Sequence, residues 1–405
     1  MTSRTWVLVA SCVAAACGRT GLPEDDGDGG VLARGEAGAI LDAGRMDVVD
    51  ASTTVDSEPS FPGAPDATGD AGWTATSPGA VVAELASGQD YPFGIAVDSA
   101  SVYWSDLQSS VMKTPIAGGS LTTLATGRTG PGIAVTPSSV YWAYTFVFTG
   151  SANASAVMTV PLGGGAPTTL ATPYPQAQFV AVDSTNVYWG ESASAQVMAM
   201  PLGGGTPTAL WSGTCSTPTR ADCSVSVYAL AVGGGRVFFT MNPTSSLTPV
   251  AGGIASVPVG GGTAVTLSSS AAGVFLTSIA VNSTSVFWTN YGSSPMPDNV
   301  DGLVMKVPVG GGPATTLASG QHEPDAIAVD GENVYWGNAG TQAASYTDGS
   351  LVKVPLGGGT PVTLATGSGG VYGIAVDATS VYWTTQNNAV TGYGGRGKVL
   401  KLTPK

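Results

Sequence analysis

The sequence holds one histidine, His322, in 405 residues. A Ser-His-Asp triad or a histidine-rich metal site would have to draw on that single imidazole. Basic residues are also few: 14 Lys and Arg stand against 27 Asp and Glu, for a net charge of −13. Tracking nucleic-acid phosphates needs clustered Lys and Arg, so nucleic acid is excluded as a partner. The chain is poor in the Ala-Leu-Glu-Lys mixtures of long helices and offers Val, Thr, Ser, Gly, Tyr and Trp instead, with 58 glycines. That usage reads as an all-β protein with many turns.

The charge is uneven. Twelve of the acids lie between residues 18 and 80. Residues 18–79 are rich in Gly, Ala, Asp and Pro, lack sustained periodicity and hold too little apolar surface to offset chain entropy, so they read as a disordered acidic tether. Ahead of them stands "MTSRTWVLVASCVAAACG". Arg4 gives a positive start, and the apolar run Trp6–Ala16 is 11 residues long, short for a membrane-spanning helix and suited to a signal peptide. The small residues before Cys17 resemble a bacterial lipoprotein lipobox. The resemblance implies lipidation of Cys17, a signal peptide over residues 1–17, and export to the cell envelope; Gly18 after the cysteine implies the outer membrane. "VASC", ending at Cys12, matches the box letters more closely but leaves only Trp6–Ala10 as apolar core, and an ordinary signal peptide cut nearby is a further alternative.

A phrase then recurs: "GIAVDSASVYWSD" at Gly94, "GIAVTPSSVYWAY" at Gly132, "FVAVDSTNVYWGE" at Phe179, "ALAVGGGRVFFTM" at Ala229, "SIAVNSTSVFWTN" at Ser278, "AIAVDGENVYWGN" at Ala326 and "GIAVDATSVYWTT" at Gly373. The spacing, 38 to 50 residues, is that of propeller blades. Each unit parses into four short strands: a ("IAV"), b ("VYW"), c ("VMKVPV"-like) and d ("TTLA"-like). "VPLGGGAPTTL" (160–170) and its copies place a glycine run between c and d. A phosphate loop would lead into a helix and carry a lysine; here no helix or GK[ST] follows, so the glycines serve a hairpin. "AVVAELASG" (80–88) is a d strand ahead of the first a strand, and "KVLKLTPK" (398–405) is a c strand with no d after it. The first completes the last. The reading is a seven-bladed β-propeller over residues 80–405, closed by an N-terminal d strand joining the C-terminal blade.

The "IAVD…VYW" phrase resembles the YWTD and NHL-type propeller repeats. The resemblance implies architecture and no activity. It departs from the YWTD pattern in blade number, usually six there, and in the variable pair after each Trp.

Strand order puts the a–b and c–d loops on one face and the d–a and b–c loops on the other. The first set is uniform, with Asp98, Asp183, Asp330 and Asp377 opening the a–b turns as expected Asx-turns. The second set is long and varied. Its Tyr91, Phe93, Arg128, Tyr144, Tyr291, Tyr346, Tyr372 and Tyr393 are the candidate ligand-binding residues for a protein, peptide or carbohydrate partner. His322, Glu323 and Asp325 are weak catalytic candidates. Glu191, Asn242, Asn290 and Asn338, with Asp106, follow strand b and are weak metal candidates. Cys215 and Cys223, eight residues apart in one d–a insertion, are expected to form a disulfide. No cofactor is implied. The functional reading is a membrane-anchored, non-catalytic binding module; the alternatives are a propeller hydrolase or lyase with a divalent metal, and a structural subunit of an envelope complex.

Overall fold

The structure, a computed structural model, describes residues 72–405 apart from 108, 145–154, 175, 214–224, 244–251, 272–273, 294–299, 342–345 and 387–395. Seven antiparallel sheets, each built on four blade strands, form a seven-bladed β-propeller. Blades one to six run from strand a at Pro92–Val97 to strand d at Val362–Gly367. Blade seven takes a, b and c from Gly370–Val376, Val381–Gln386 and Arg396–Thr403, and its d strand is Val81–Asp90. The register of this clasp runs from Val81↔Thr403 to Asp90↔Arg396. Among the described residues no helix is long and apolar enough to cross a membrane.

Strand b explains why blades stack. In Val102-Tyr103-Trp104 all three side chains are buried, although successive residues point to opposite sheet faces. Trp104 packs toward blade seven with Tyr382, whereas Tyr103 packs toward blade two with Val140 and Trp142. The same exchange recurs around the ring: Tyr141 meets Trp189, Tyr188 meets Phe239, Phe238 meets Trp288, Phe287 meets Trp336 and Tyr335 meets Trp383. Each seam therefore joins aromatic side chains from both neighbours, and burying such side chains dominates core energetics.

The uniform face is tied by repeated polar contacts. In the Pro-x-Gly-Gly-Gly turn of blade two, the Gly164 N–H donates to Pro161 O at 2.9 Å. Gly164 and Gly165 have φ of +86° and +131°, values that only glycine adopts without strain. Lys113, Lys306 and Lys401 each donate from Nζ to a carbonyl in a neighbouring blade's turn: Leu162 (2.5 Å), Leu356 (2.7 Å) and Ile116 (3.0 Å).

The expected Asx-turns are present and do more than turn the chain. Asp98 Oδ1 accepts the N–H groups of Ala100 and Ser101, both at 2.7 Å, and Oδ2 accepts the Tyr103 hydroxyl at 2.8 Å. Asp183–Tyr188, Asp330–Tyr335 and Asp377–Tyr382 repeat the pair. Where the turn opens with Asn282 or Gly233, the residue five places on is Phe287 or Phe238, with no hydroxyl to satisfy. Asp330 also meets Lys405 Nζ at 2.5 Å. Burial pushes the Asp330 carboxyl up, but hydrogen bonds from Lys405, the Asn333 and Glu332 N–H groups and Tyr335 outweigh it and hold its pKa at about 2.

The sequence reading assigns residues 72–79 to the tether, yet the chain engages the propeller from Trp73. Thr74 and Ala75 form a fifth strand on blade six, paired with Thr366 and Ala365, and Trp73 is buried against Trp383. An aromatic side chain in an otherwise polar segment has apolar surface to hide, and the edge of blade six supplies the cover.

Candidate functional site

The seven a strands surround a channel. At its waist each contributes one aliphatic side chain: Ile95, Ile133, Val180, Leu230, Ile279, Ile327 and Ile374. They line a cavity of about 120 Å³, with Gly94, Gly132, Ser278 and Gly373 beside them. Two residues earlier in the chain in each blade, toward the loop-rich face, stand Phe93, Pro131, Gln178, Tyr228, Thr277, Asp325 and Tyr372, of which Phe93, Pro131 and Tyr372 line the cavity. This is the mouth, and here the blades differ most. Phe93 and Tyr372 stack with centroids 5.6 Å apart. Tyr228 bridges Phe179 at 5.1 Å and Phe275 at 5.0 Å. Asp325 is the one charged member.

Beside Asp325 lies Glu323, buried and held at φ +53°. Tyr91 and Gln176 occupy the same place in blades one and three and share the left-handed backbone. In all three the carbonyl accepts an N–H from just beyond strand b: Leu107, Ser192 and Ala339. Non-glycine residues in this region carry strain of order 1–3 kcal/mol, and such strain gathers at functional sites. Glu323 Oε2 accepts the Tyr291 hydroxyl at 2.6 Å. Burial, the Glu323 charge and bond, and the nearby Asp325 push the Tyr291 pKa well above its ordinary value. Burial and then the Glu323 charge push Asp325 up to about 7.

Of the ligand-binding candidates, the mouth brings together Phe93 and Tyr372, both buried, while the buried Tyr291 is held by Glu323. Tyr91, Tyr144 and Tyr346 are half-buried and Arg128 is exposed, spread around the same face. Tyr393 lies outside the described residues, as do Cys17, Cys215 and Cys223. Of the catalytic candidates, Glu323 and Asp325 stand together, while the His322 imidazole makes no hydrogen bond among the described residues.

The residues after strand b are not brought to one point; each holds local partners. Asn242 takes both the N–H (2.8 Å) and the carbonyl (2.9 Å) of Leu276 in the next blade. Asn338 donates to Gln321 and Ser350, and Asn290 accepts the Gly292 N–H. Glu191 accepts the Trp189 indole N–H and the Ser194 hydroxyl, while burial raises its pKa. Asp106 accepts the Ser110 hydroxyl, and burial lifts its pKa to about 7. Among the described residues no three His, Cys, Asp or Glu side chains are placed to hold a metal ion.

Sequence reasoning missed the mouth ring as a unit, including Gln178 and Thr277. The signal was available: the column two residues before the aliphatic of strand a holds six residue types, while strand a itself repeats as Ile-Ala-Val with little change. Replacing Tyr291 with Phe should lower stability by about 1–3 kcal/mol, because a buried carboxyl oxygen loses its O–H donor. A chemical-denaturation midpoint shift below about 0.5 kcal/mol, the range of ordinary surface changes, would show that this bond is dispensable.

No protein-family model and no curated protein matches the sequence. Solved structures share the architecture. A chain from a nidogen–laminin complex is 14% identical over 68% of this chain and 96% of its own, with a TM-score of 0.44. BamB from Moraxella catarrhalis is 14% identical over 76% and 83%, with a TM-score of 0.44. The tricorn protease is 10% identical over 76% of this chain and 33% of its own, with a TM-score of 0.51. At such identities the likeness is one of propeller fold and carries no activity across.

Proposed function

We propose that this chain is a binding module of the cell envelope, anchored to a membrane through a lipidated Cys17 and engaging a protein, peptide or carbohydrate partner through its loop-rich face. The observation that carries the reading is the contrast between the two faces. One is built from near-identical turns whose Asp, Lys and backbone groups bond to one another. The other gathers the varied segments, the aromatic mouth and the left-handed Tyr91, Gln176 and Glu323. Binding residues concentrate on loops held by a rigid scaffold. The residues available also favour binding over turnover: the single imidazole, His322, has no acid or nucleophile bonded to it among the described residues.

The test has two arms. Cells expressing the full chain and fed a palmitate analogue should label it, and Cys17→Ser should abolish the label. On arrays of peptides and glycans, Arg128→Glu with Tyr144→Ala should weaken the strongest hit at least ~10-fold, about 1.4 kcal/mol. Ser99→Lys with Glu332→Lys on the opposite face should leave it unchanged. Binding that follows the opposite face instead, or a divalent-metal-dependent turnover of the hit, would overturn the reading.

A further inference from the structure

The channel mouth has a chemistry of its own. Phe93, Pro131 and Tyr372 line the cavity from the position two residues before the aliphatic waist. Asp325 holds that same position in blade six, next to Tyr372 in blade seven. Asp325 is half-buried and immediately precedes Ala326 and Ile327, which line the cavity. Among the described residues no hydrogen bond or cation offsets its charge; the neighbour that acts on it is the like-charged Glu323. Immediately below lie the seven aliphatic side chains. A carboxylate one blade from a tyrosine that lines an apolar chamber is complementary to a cation on a hydrocarbon stem.

We infer that the channel mouth binds a small primary aliphatic amine, with its hydrocarbon tail against the aliphatic waist and its ammonium against Asp325 beside the Tyr372 and Phe93 rings. The order of the layers sets the orientation. A lysine side chain entering from the loop face would drive its ammonium past the carboxylate into the apolar layer, where an unpaired charge is costly. A tail-first occupant leaves the charge at the mouth. That occupant is a free alkylamine, or the first residue of a peptide whose side chain is aliphatic and whose α-amine is free. The cavity, about 120 Å³, falls well below the roughly 300–1,000 Å³ of sites for drug-sized ligands. The inference goes beyond the loop-face role and does not depend on it: amine binding lost with the array hit intact, or the reverse, tells the two apart.

The experiment is ligand-observed NMR on the full chain at about pH 8.5, above the Asp325 pKa of about 7, with n-butylamine and 1-butanol as matched probes. Butylamine should bind saturably and at least ~10-fold tighter than butanol, and Asp325→Asn should remove that difference. Ser278→Val leaves the carboxylate in place and narrows the chamber, so it should weaken both probes. Near-UV circular dichroism confirms that each variant is folded, and Asp325→Ser replaces an Asn variant that is not. The peptide Leu-Gly-Gly binding where its N-acetyl form does not would extend the site to peptide N-termini; neither binding would confine it to free amines. Equal binding of butanol, an amine preference that survives Asp325→Asn, binding indifferent to Ser278→Val, or no saturation in the millimolar range would each overturn the inference.

Discussion

Deleting residues 72–90 should convert a closed ring into an open, aggregating one. The deletion removes the whole d strand of blade seven, with its pairing along Arg396–Thr403. It also takes Leu85 and Ala86 out of the cluster that holds Trp104 and Tyr382, and it removes Gln89, whose Oε1 accepts the Trp104 indole N–H at 3.2 Å. The strand left behind would present a long unpaired edge, a template for other chains. Domain stabilities are typically about 5–15 kcal/mol, so losing an entire core strand consumes most of that margin. Size-exclusion chromatography and thermal unfolding should show oligomers and no cooperative transition, and a synthetic 72–90 peptide should restore both. A truncated chain that stays monomeric with an unchanged midpoint would refute the clasp as a stabilising element.

The second large effect is expected from a single side chain. Trp73→Ala should cost about 3–5 kcal/mol, the range for truncating a large buried aromatic. The Trp73 indole donates to Ser368 O at 2.9 Å, and its ring lies 5.4 Å from that of Trp383 in an edge-on arrangement. Its socket is made by Gly367 and Gly349, where an added Cβ would meet the indole at 2.5 and 3.3 Å. The reason it sits at this seam can be read from two others. After the corresponding glycine stand Gln89 and Gln321, which accept the indole N–H of Trp104 and Trp336 in the next blade. Here Ser368 takes that place, the space a glutamine would fill is left to Trp73, and the Trp383 N–H has no partner among the described residues. Gly367→Ala should therefore reproduce much of the loss. Urea denaturation at constant m-value reads both, and a Trp73→Ala cost below about 1 kcal/mol would mean that the indole only rests on the surface.

Much of this fold was legible in the sequence because the repeat exposes each role seven times over. Blade number, strand order, glycine hairpins, Asx-turns and the N-terminal closing strand all followed from aligned phrases. The pairing of turn Asp with strand Tyr was present in the same alignment: all four Asp copies carry Tyr and the Asn282 and Gly233 copies carry Phe, while the Thr136 copy keeps Tyr141, whose hydroxyl donates to Leu202 O instead. It went unread because it links two columns five residues apart rather than one. Trp73 was hidden for the opposite reason: it occurs once, outside the repeat, and its partners Gly349, Gly367 and Ser368 are meaningful only once blade six is folded. The candidate site was legible as a face but not as a cavity. Which residue of "PDAIAV" or "VYGIAV" looks into the channel depends on irregular pairing between Pro324 and Ala326 and between Val371 and Gly373. The positions after strand b were ambiguous in the same way, and local hydrogen bonds settle what Asn242 and Glu191 do.

The arrangement of blade seven also sets a timetable. Apart from the short added strand Thr74–Ala75, Val81–Asp90 precedes every blade strand in the chain, yet its partner, Arg396–Thr403, follows all of them. During synthesis the first of these strands must wait, unpaired, until the last has been made. Contacts this distant in sequence are slow to form, and waiting chains expose sticky edges. The clasp thus makes ring closure a late event, a delay that suits any chain that has to stay unfolded until all of it has arrived in one place.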